Sequence, residues 1–162
     1  MGLSAEWREA FVAMALDWEA VGPHRYALAL EDFAAYQQAL VRGQLGERPD
    51  GEAVPQWSFC LEDGGRIVAC LRMRTRLTAA LLDEGGHIGY DVSPSMRRRG
   101  YGTQLLALGI IEARRRNITR IRITCDADNQ ASIKIIERNG GLFSDAGIST
   151  ESGARINRYW IE

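Results

Sequence analysis

The segment Val92-Ser93-Pro94-Ser95-Met96-Arg97-Arg98-Arg99-Gly100-Tyr101-Gly102-Thr103 concentrates residue types that can hold a diphosphate. The stretch before it, Gly86 to Val92, reads as a strand closed by Ser93-Pro94. The stretch after it, with Leu105, Leu106, Leu108, Ile110 and Ile111, reads as a helix ending near Asn117. The first turn of a helix carries backbone N–H groups with no partner inside the helix, at the positive end of its dipole. Glycines at 100 and 102 let those groups approach a ligand closely, and three arginines add local positive charge. This is the composition of a pyrophosphate cradle, although a solvated basic turn uses the same residues. Two other phosphate motifs fail. A Walker-type loop needs a Lys between its last Gly and the Ser or Thr, and here Gly102 runs directly into Thr103. A dinucleotide fingerprint needs three glycines and a later acidic residue, and only two glycines are present.

A proton acceptor can be sought on the preceding strand. Alternation by two places His87, Gly89 and Asp91 on one face, and Gly89 leaves room above the strand. Asp91 is the first candidate base, directly or through water, and His87 the second; each could equally serve the backbone or the core. Asp126 and Glu84 are weaker candidates. The three cysteines, Cys60, Cys70 and Cys125, form no Cys-x-x-Cys pair, and only His24 and His87 accompany them, so no closely spaced metal-ligand set is readable. They read as reduced thiols of a cytoplasmic protein. Cys125 has no nearby base and makes a poor acyl-carrying nucleophile.

At Arg97-x-x-Gly100-x-Gly102 the sequence resembles the GNAT family of N-acetyltransferases, whose signature is Gln/Arg-x-x-Gly-x-Gly/Ala at a helix start. Asn129-x-x-Ser132 and Arg138-x-Gly140 match a second family element. Gly86-His87-Ile88-Gly89-Tyr90-Asp91-Val92, Cys125-Asp126-Ala127-Asp128-Asn129 and Asn139-Gly140-Gly141 look like a bacterial subgroup of predicted acetyltransferases. The resemblance implies acetyl-CoA as co-substrate, a primary amine of a small molecule or peptide as acceptor and direct attack in a ternary complex. It implies that the main chain of Val92 faces the pantetheine arm and thioester, with an N–H near Val92 stabilising the oxyanion. It further implies that Arg97, Arg98, Arg99, Gly100, Tyr101, Gly102 and Thr103 form the pyrophosphate site, and that Asn129 and Ser132 bind the lower pantetheine arm or a phosphate. Both of the latter also suit helix capping. Where the family often has a Tyr to protonate the leaving thiolate, this chain has Ile136; Tyr159 and Ser132 are possible substitutes. That departure keeps open a second reading, a non-catalytic acyl-CoA-binding or sensing module. A homodimer through the C-terminal strands is allowed by the resemblance.

The elements that must position these residues follow from periodicity. Trp7, Phe11, Met14 and Trp18 recur at helical spacing after Ser4, a potential cap, until Gly22-Pro23. Phe33, Tyr36 and Leu40 mark a second helix ending near Gly43, and a Gly- and Pro-rich loop runs to Pro55. Asp63-Gly64-Gly65 separates two strand-like runs, a hairpin whose second arm places Ile67, Ala69, Leu71 and Met73 on one face. Thr119 to Cys125 alternates as a strand, and Ile133, Ile135 and Ile136 lie in a short helix stopped by Gly140-Gly141. Leu142–Ser144 and Arg155–Ile161 close the chain around a Gly147–Gly153 turn. The order predicts an α+β fold: a central, mostly antiparallel mixed sheet flanked by helices on both faces. The 162 residues suit one N-acetyltransferase domain, with a helical substrate-side region over 1–55 and the sheet and acyl-CoA-binding core over 56–162. Family members usually begin with a strand, and none is readable in Met1–Ala5.

Bulk composition narrows the alternatives. A hydrophobic content of 46% supports a core, and a net charge of -1 gives no general attraction to nucleic acid. No apolar run reaches spanning length, and the N-terminus lacks a signal-peptide pattern. The acidic residues near the N-terminus read as solvated helix faces. Arg114-Arg115-Arg116 reads as a helix C-terminus, with a CoA ribose phosphate as a further option.

Overall fold

A computed structural model describes residues 3–22, 24–47 and 54–162. Met1, Gly2, Pro23 and part of the expected 43–55 loop lie outside the described residues. A single 3-10 turn, Ala5–Trp7, precedes α1 (Arg8–Glu19). No strand precedes it among the described residues, and the Ser4 hydroxyl donates to Glu6 instead of capping the helix. Two helices follow, α2 (Ala27–Glu31) and α3 (Phe33–Gln44), where one was expected. They part at Asp32, whose extended backbone ends α2 while its carboxylate accepts from Ala35 N–H to cap α3. Phe11 of α1 holds this layer together, meeting the rings of Tyr26, Phe33 and Tyr36 at 5.2–6.0 Å.

The strands form two three-stranded antiparallel sheets. The first has the order β1 (Gln56–Asp63), β2 (Arg66–Arg74), β3 (Ile88–Val92); the second has the order β4 (Ile121–Asp126), β6 (Arg155–Ile161), β5 (Leu142–Ile148). The expected hairpin is present, with Gly64 and Gly65 at φ +59° and +80° making the two-residue turn. Its second arm corrects the sequence reading. Leu61 pairs with Ala69 but Glu62 with Ile67, so Val68 is an extra residue and the facing pattern inverts there. Ile67 therefore packs with Cys60 and Cys70 against the N-terminal helices. Ala69, Leu71 and Met73 face the opposite side, against α5 (Tyr101–Arg115).

That second side is the larger core. Leu105, Leu106, Ile110 and Ala113 of α5 meet β2, β3 and β4, together with Ile136 of α6 (Gln130–Arg138). Leu108 and Ile111 of α5 are about half exposed on its outer face. Asn117, at φ +61°, stops the chain after that helix, and Gly140, at φ +83°, stops α6. A further short helix, α4 (Ala79–Asp83), capped by the Thr78 hydroxyl, lies in a stretch with no sequence signal. β5 extends to Ile148, past the expected end at Ser144 and into the first residues of the expected turn. Helices thus cover both faces of an antiparallel framework, the predicted α+β class.

Candidate functional site

The two sheets touch at one end and part at the other. Just before β3, Gly86 lies at φ +63°, and a Cβ there would stand 2.4 Å from the Arg122 carbonyl oxygen. Only glycine allows this approach. His87 then donates its N–H to Arg122 O at 2.8 Å, and its Nδ1 accepts Arg122 N–H at 2.9 Å. No β-ladder joins β3 to β4 further along, so the edge of β3 toward Val92 faces an opening without a strand partner.

At the far end of β3 the chain makes a 3-10 turn, Pro94–Met96, and enters α5. Arg98 and Gly100 hold positive φ, +63° and +85°. The N–H groups of Arg98 through Thr103 donate to no acceptor among the described residues, and a Cβ on Gly100 would meet only open space. These are the free donors, positive dipole end and clearance that a diphosphate requires. Gly102 has another task. A Cβ there would lie 2.6 Å from Ile135 and 3.3 Å from Val92, so it brings α5, α6 and the end of β3 together at the opening. The Tyr101 hydroxyl fastens the start of α5 to Asp63 at the hairpin tip.

The N-terminal helices grip the same turn. Asp17 accepts from the hydroxyl of Ser93, and from the N–H and hydroxyl of Ser95 at 2.9 Å each. Partial burial alone would raise its carboxyl, but these bonds outweigh that and hold it below the usual value. The Trp18 ring is flanked by two guanidinium groups, Arg25 at 5.0 Å and Arg97 at 5.1 Å. Arg97 thereby leans on the helical layer, beside the free amides that follow it.

Asp91 and His87 share a face of β3, as alternation predicts, and both are buried. The Asp91 carboxylate is enclosed: Oδ1 meets Arg25 Nη1 at 2.6 Å, and Oδ2 accepts from Arg72 Nη1 at 2.6 Å and the Tyr26 hydroxyl at 3.1 Å. Burial would lower the Arg72 guanidinium, but Asp91 more than compensates and holds it above its ordinary value. Burial pushes His87 down to about 4, leaving a neutral ring whose Nδ1 ties the two sheets. Asp91 thus occupies the place of an ion-pair anchor and His87 that of a strand-to-strand staple, and neither geometry is that of an unengaged base.

Asn129 caps α6, its side-chain oxygen accepting Ser132 N–H at 3.0 Å. The Ser132 hydroxyl instead meets the Tyr90 hydroxyl at 2.7 Å, so a side chain of β3 reaches α6. Burial raises the Tyr90 phenol, keeping it protonated, and pushes the neighbouring Cys125 thiol up to about 11, which leaves little thiolate. Ile136 is fully buried in the core, and the Tyr159 ring is buried against Phe143. Glu84 accepts from Ser149 and Thr150, tying down the loop between β5 and β6. Arg115 and Arg116 pair with Glu112, and Arg114 donates to the Glu162 carbonyl.

Sequence reasoning gave no role to Arg25, Tyr26, Arg72 or Tyr90; it read Trp18 as a core position and Asp17 as part of a solvated face, where the structure instead bonds Asp17 to Ser93 and Ser95. The two arginines lie on different elements, and only the fold brings them to Asp91. Tyr90 had a signal: it stands two residues before Val92 on the same strand face.

Comparison with known proteins adds the family. The structure resembles RimJ of Mycobacterium smegmatis in complex with CoA-disulfide, with TM-score 0.74 and 17% identity, covering 98% of this chain and 78% of that one. It resembles the ribosomal L7/L12 alpha-N-protein acetyltransferase RimL in complex with coenzyme A, with TM-score 0.71 and 21% identity over 99% and 90% of the two chains. It also resembles the microcin C7 self-immunity acetyltransferase MccE in complex with acetyl-CoA and AMP, with TM-score 0.70 and 14% identity over 99% and 89%. At these identities the likeness is one of fold. Among curated sequences no relative matches. The profile of the Acetyltransferase (GNAT) family matches residues 16–141, most of the chain and all of the opening, the cradle and α6, and the protein belongs to the GNAT acetyltransferase family.

Proposed function

We propose that the protein transfers an acetyl group from acetyl-CoA to a primary amine by direct attack in a ternary complex. The observation that carries this reading is the run of unpaired N–H groups from Arg98 to Thr103, beside the opening between β3 and β4. The diphosphate binds to those amides, with Arg97, Arg98 and Arg99 supplying charge and Gly100 the clearance. The pantetheine arm runs down the unpartnered edge of β3, where a main-chain N–H near Val92 steadies the thioester oxygen as negative charge develops on it. Asn129 and Ser132, at the start of α6, line the other wall.

The amine nitrogen attacks the thioester carbon, the carbon–sulfur bond breaks, and the sulfur leaves as a thiolate needing a proton. Tyr90 is the donor this site offers in place of the absent Tyr at position 136. Its phenol is held by Ser132 and has a proton to give at neutral pH, although burial makes it a weaker acid than an ordinary Tyr. The proton lost by the amine passes to water; Asp91 fixes Arg25 and Arg72 along the acceptor side and does not itself take the proton.

The test is release of free CoA from acetyl-CoA in the presence of an amine panel of amino acids, polyamines, aminoglycosides and peptide N-termini. Amine-dependent release with a matching acetylated product supports the transferase. Tight acetyl-CoA binding with no release above the solution rate for any amine would replace it with a binding or sensing module.

A further inference from the structure

Next to Asp91, a cavity of about 180 Å³ opens between α3 and the β1–β2 hairpin. Its walls are mostly apolar, with Tyr36, Leu40 and Phe59 beside the polar Gln56 and Ser58, and Arg25, Tyr26 and Arg72 also line it. No Asp or Glu lines it among the described residues. Arg25 and Arg72 each use Nη1 on the single carboxylate of Asp91, so two guanidinium groups face one anion. Nε and Nη2 of both have no further hydrogen-bond partner among the described residues. That part of the wall therefore carries one uncompensated positive charge and unused donors in the fork geometry that fits a carboxylate.

Resting on the acyltransferase reading above, we propose that the acceptor is an α-amino acid with a free carboxylate and an aromatic or branched apolar side chain. Its carboxylate docks on the free donors of Arg25 and Arg72, its side chain fills the cavity, and its amine points past Gly89 toward the opening between β3 and β4. The size is right: an apolar cavity of about 150 Å³ holds benzene, so this one accepts a benzyl-sized group. The charge is right as well. A positive wall disfavours dications and favours the neutral, nucleophilic form of an incoming amine, which lessens the need for a dedicated base. Gly89 supports this placement, because it puts no side chain between Arg72 and the edge of β3; even a Cβ there would meet Arg72 Nη2 at 3.6 Å.

The test compares L-phenylalanine, L-phenylalaninamide, glycine and 1,4-diaminobutane as acceptors, and measures binding of N-acetyl-L-phenylalanine and its amide by calorimetry without acetyl-CoA. One charge-assisted contact predicts about a 10- to 100-fold higher kcat/KM for phenylalanine than for its amide, and the same order of preference in product binding. Arg72→Gln should collapse both ratios toward one. Arg25 is the more exposed of the two, so Arg25→Gln provides a second, milder variant should Arg72→Gln fail to fold. Equal use of acid and amide, preference for glycine or 1,4-diaminobutane, or failure of N-acetyl-L-phenylalanine to bind would overturn the assignment. Because calorimetry needs no acetyl-CoA, carboxylate-dependent product binding without turnover would count against the transferase reading alone, while turnover of other amines without that binding would count against this inference alone.

Discussion

The Tyr90 hydroxyl and the Ser132 hydroxyl lie 2.7 Å apart, linking β3 to the start of α6 where β3 and β4 have no ladder between them. Ser132 also belongs to the capped first turn of α6, so Asn129 fixes it from one side and Tyr90 from the other. The Tyr90 phenol, kept protonated by its burial, is thus held in place by two elements.

Tyr90→Phe should therefore lower kcat by about 10²-fold or more, the low end for a positioned acid, while leaving the acetyl-CoA-induced thermal shift in place. Steady-state kinetics and a melting curve on the same preparation check this. Unchanged kcat at saturating acetyl-CoA would remove Tyr90 from the proton path.

Gly100→Asp should abolish the thermal shift produced by acetyl-CoA. The backbone at Gly100 is left-handed, which Asp tolerates better than most residues, and the added side chain enters open space, so the fold survives. The new negative charge then stands where the diphosphate docks. For the wild-type protein, ligand at about 100 times its dissociation constant should add about 2.7 kcal/mol, several degrees in Tm. An undiminished shift in a folded Gly100→Asp variant would count against the cradle.

Asp17→Ala should weaken acetyl-CoA about tenfold through the turn it grips, although Asp17 itself meets no ligand in this reading. Asp17→Asn, which keeps the acceptor oxygen, should recover part of the loss. A merely structural role would lower Tm without changing the affinity for acetyl-CoA measured by calorimetry.

His87 makes stability depend on pH. Its folded value, about 4, lies below the unfolded value near 6.5, so the unfolded chain binds the extra proton first. The neutral-His contribution is complete above about pH 6.5 and declines as pH falls toward 4, by on the order of 3 kcal/mol at most. Urea unfolding at pH 7.5 and pH 4.5 measures it, and His87→Gln should flatten that part of the profile. An equally steep decline in the variant would assign the effect to other groups.

The strand–turn–helix segment was legible because its determinants are local: a strand, a basic turn with two glycines and an apolar-periodic helix follow one another within the segment Gly86 to Asn117. The fold class was legible for the same reason, since hairpin and helix signals were strong and in order. The flip at Val68 was not, because a one-residue bulge leaves alternation intact on either side of itself. Nor was the Arg25–Asp91–Arg72 cluster: those residues are 19 to 66 positions apart, and only packing of the N-terminal layer on β3 joins them. Alternation placed Asp91 and His87 on one face correctly but says nothing about what occupies their lone pairs.

The most direct test of the central claim is a backbone amide NMR titration with coenzyme A. Diphosphate docking predicts large shift changes and slowed hydrogen exchange at the amides of Arg98 through Thr103, with smaller changes at Val92 and Ser132. Saturable binding that leaves those six amides unmoved while perturbing another surface would contradict it.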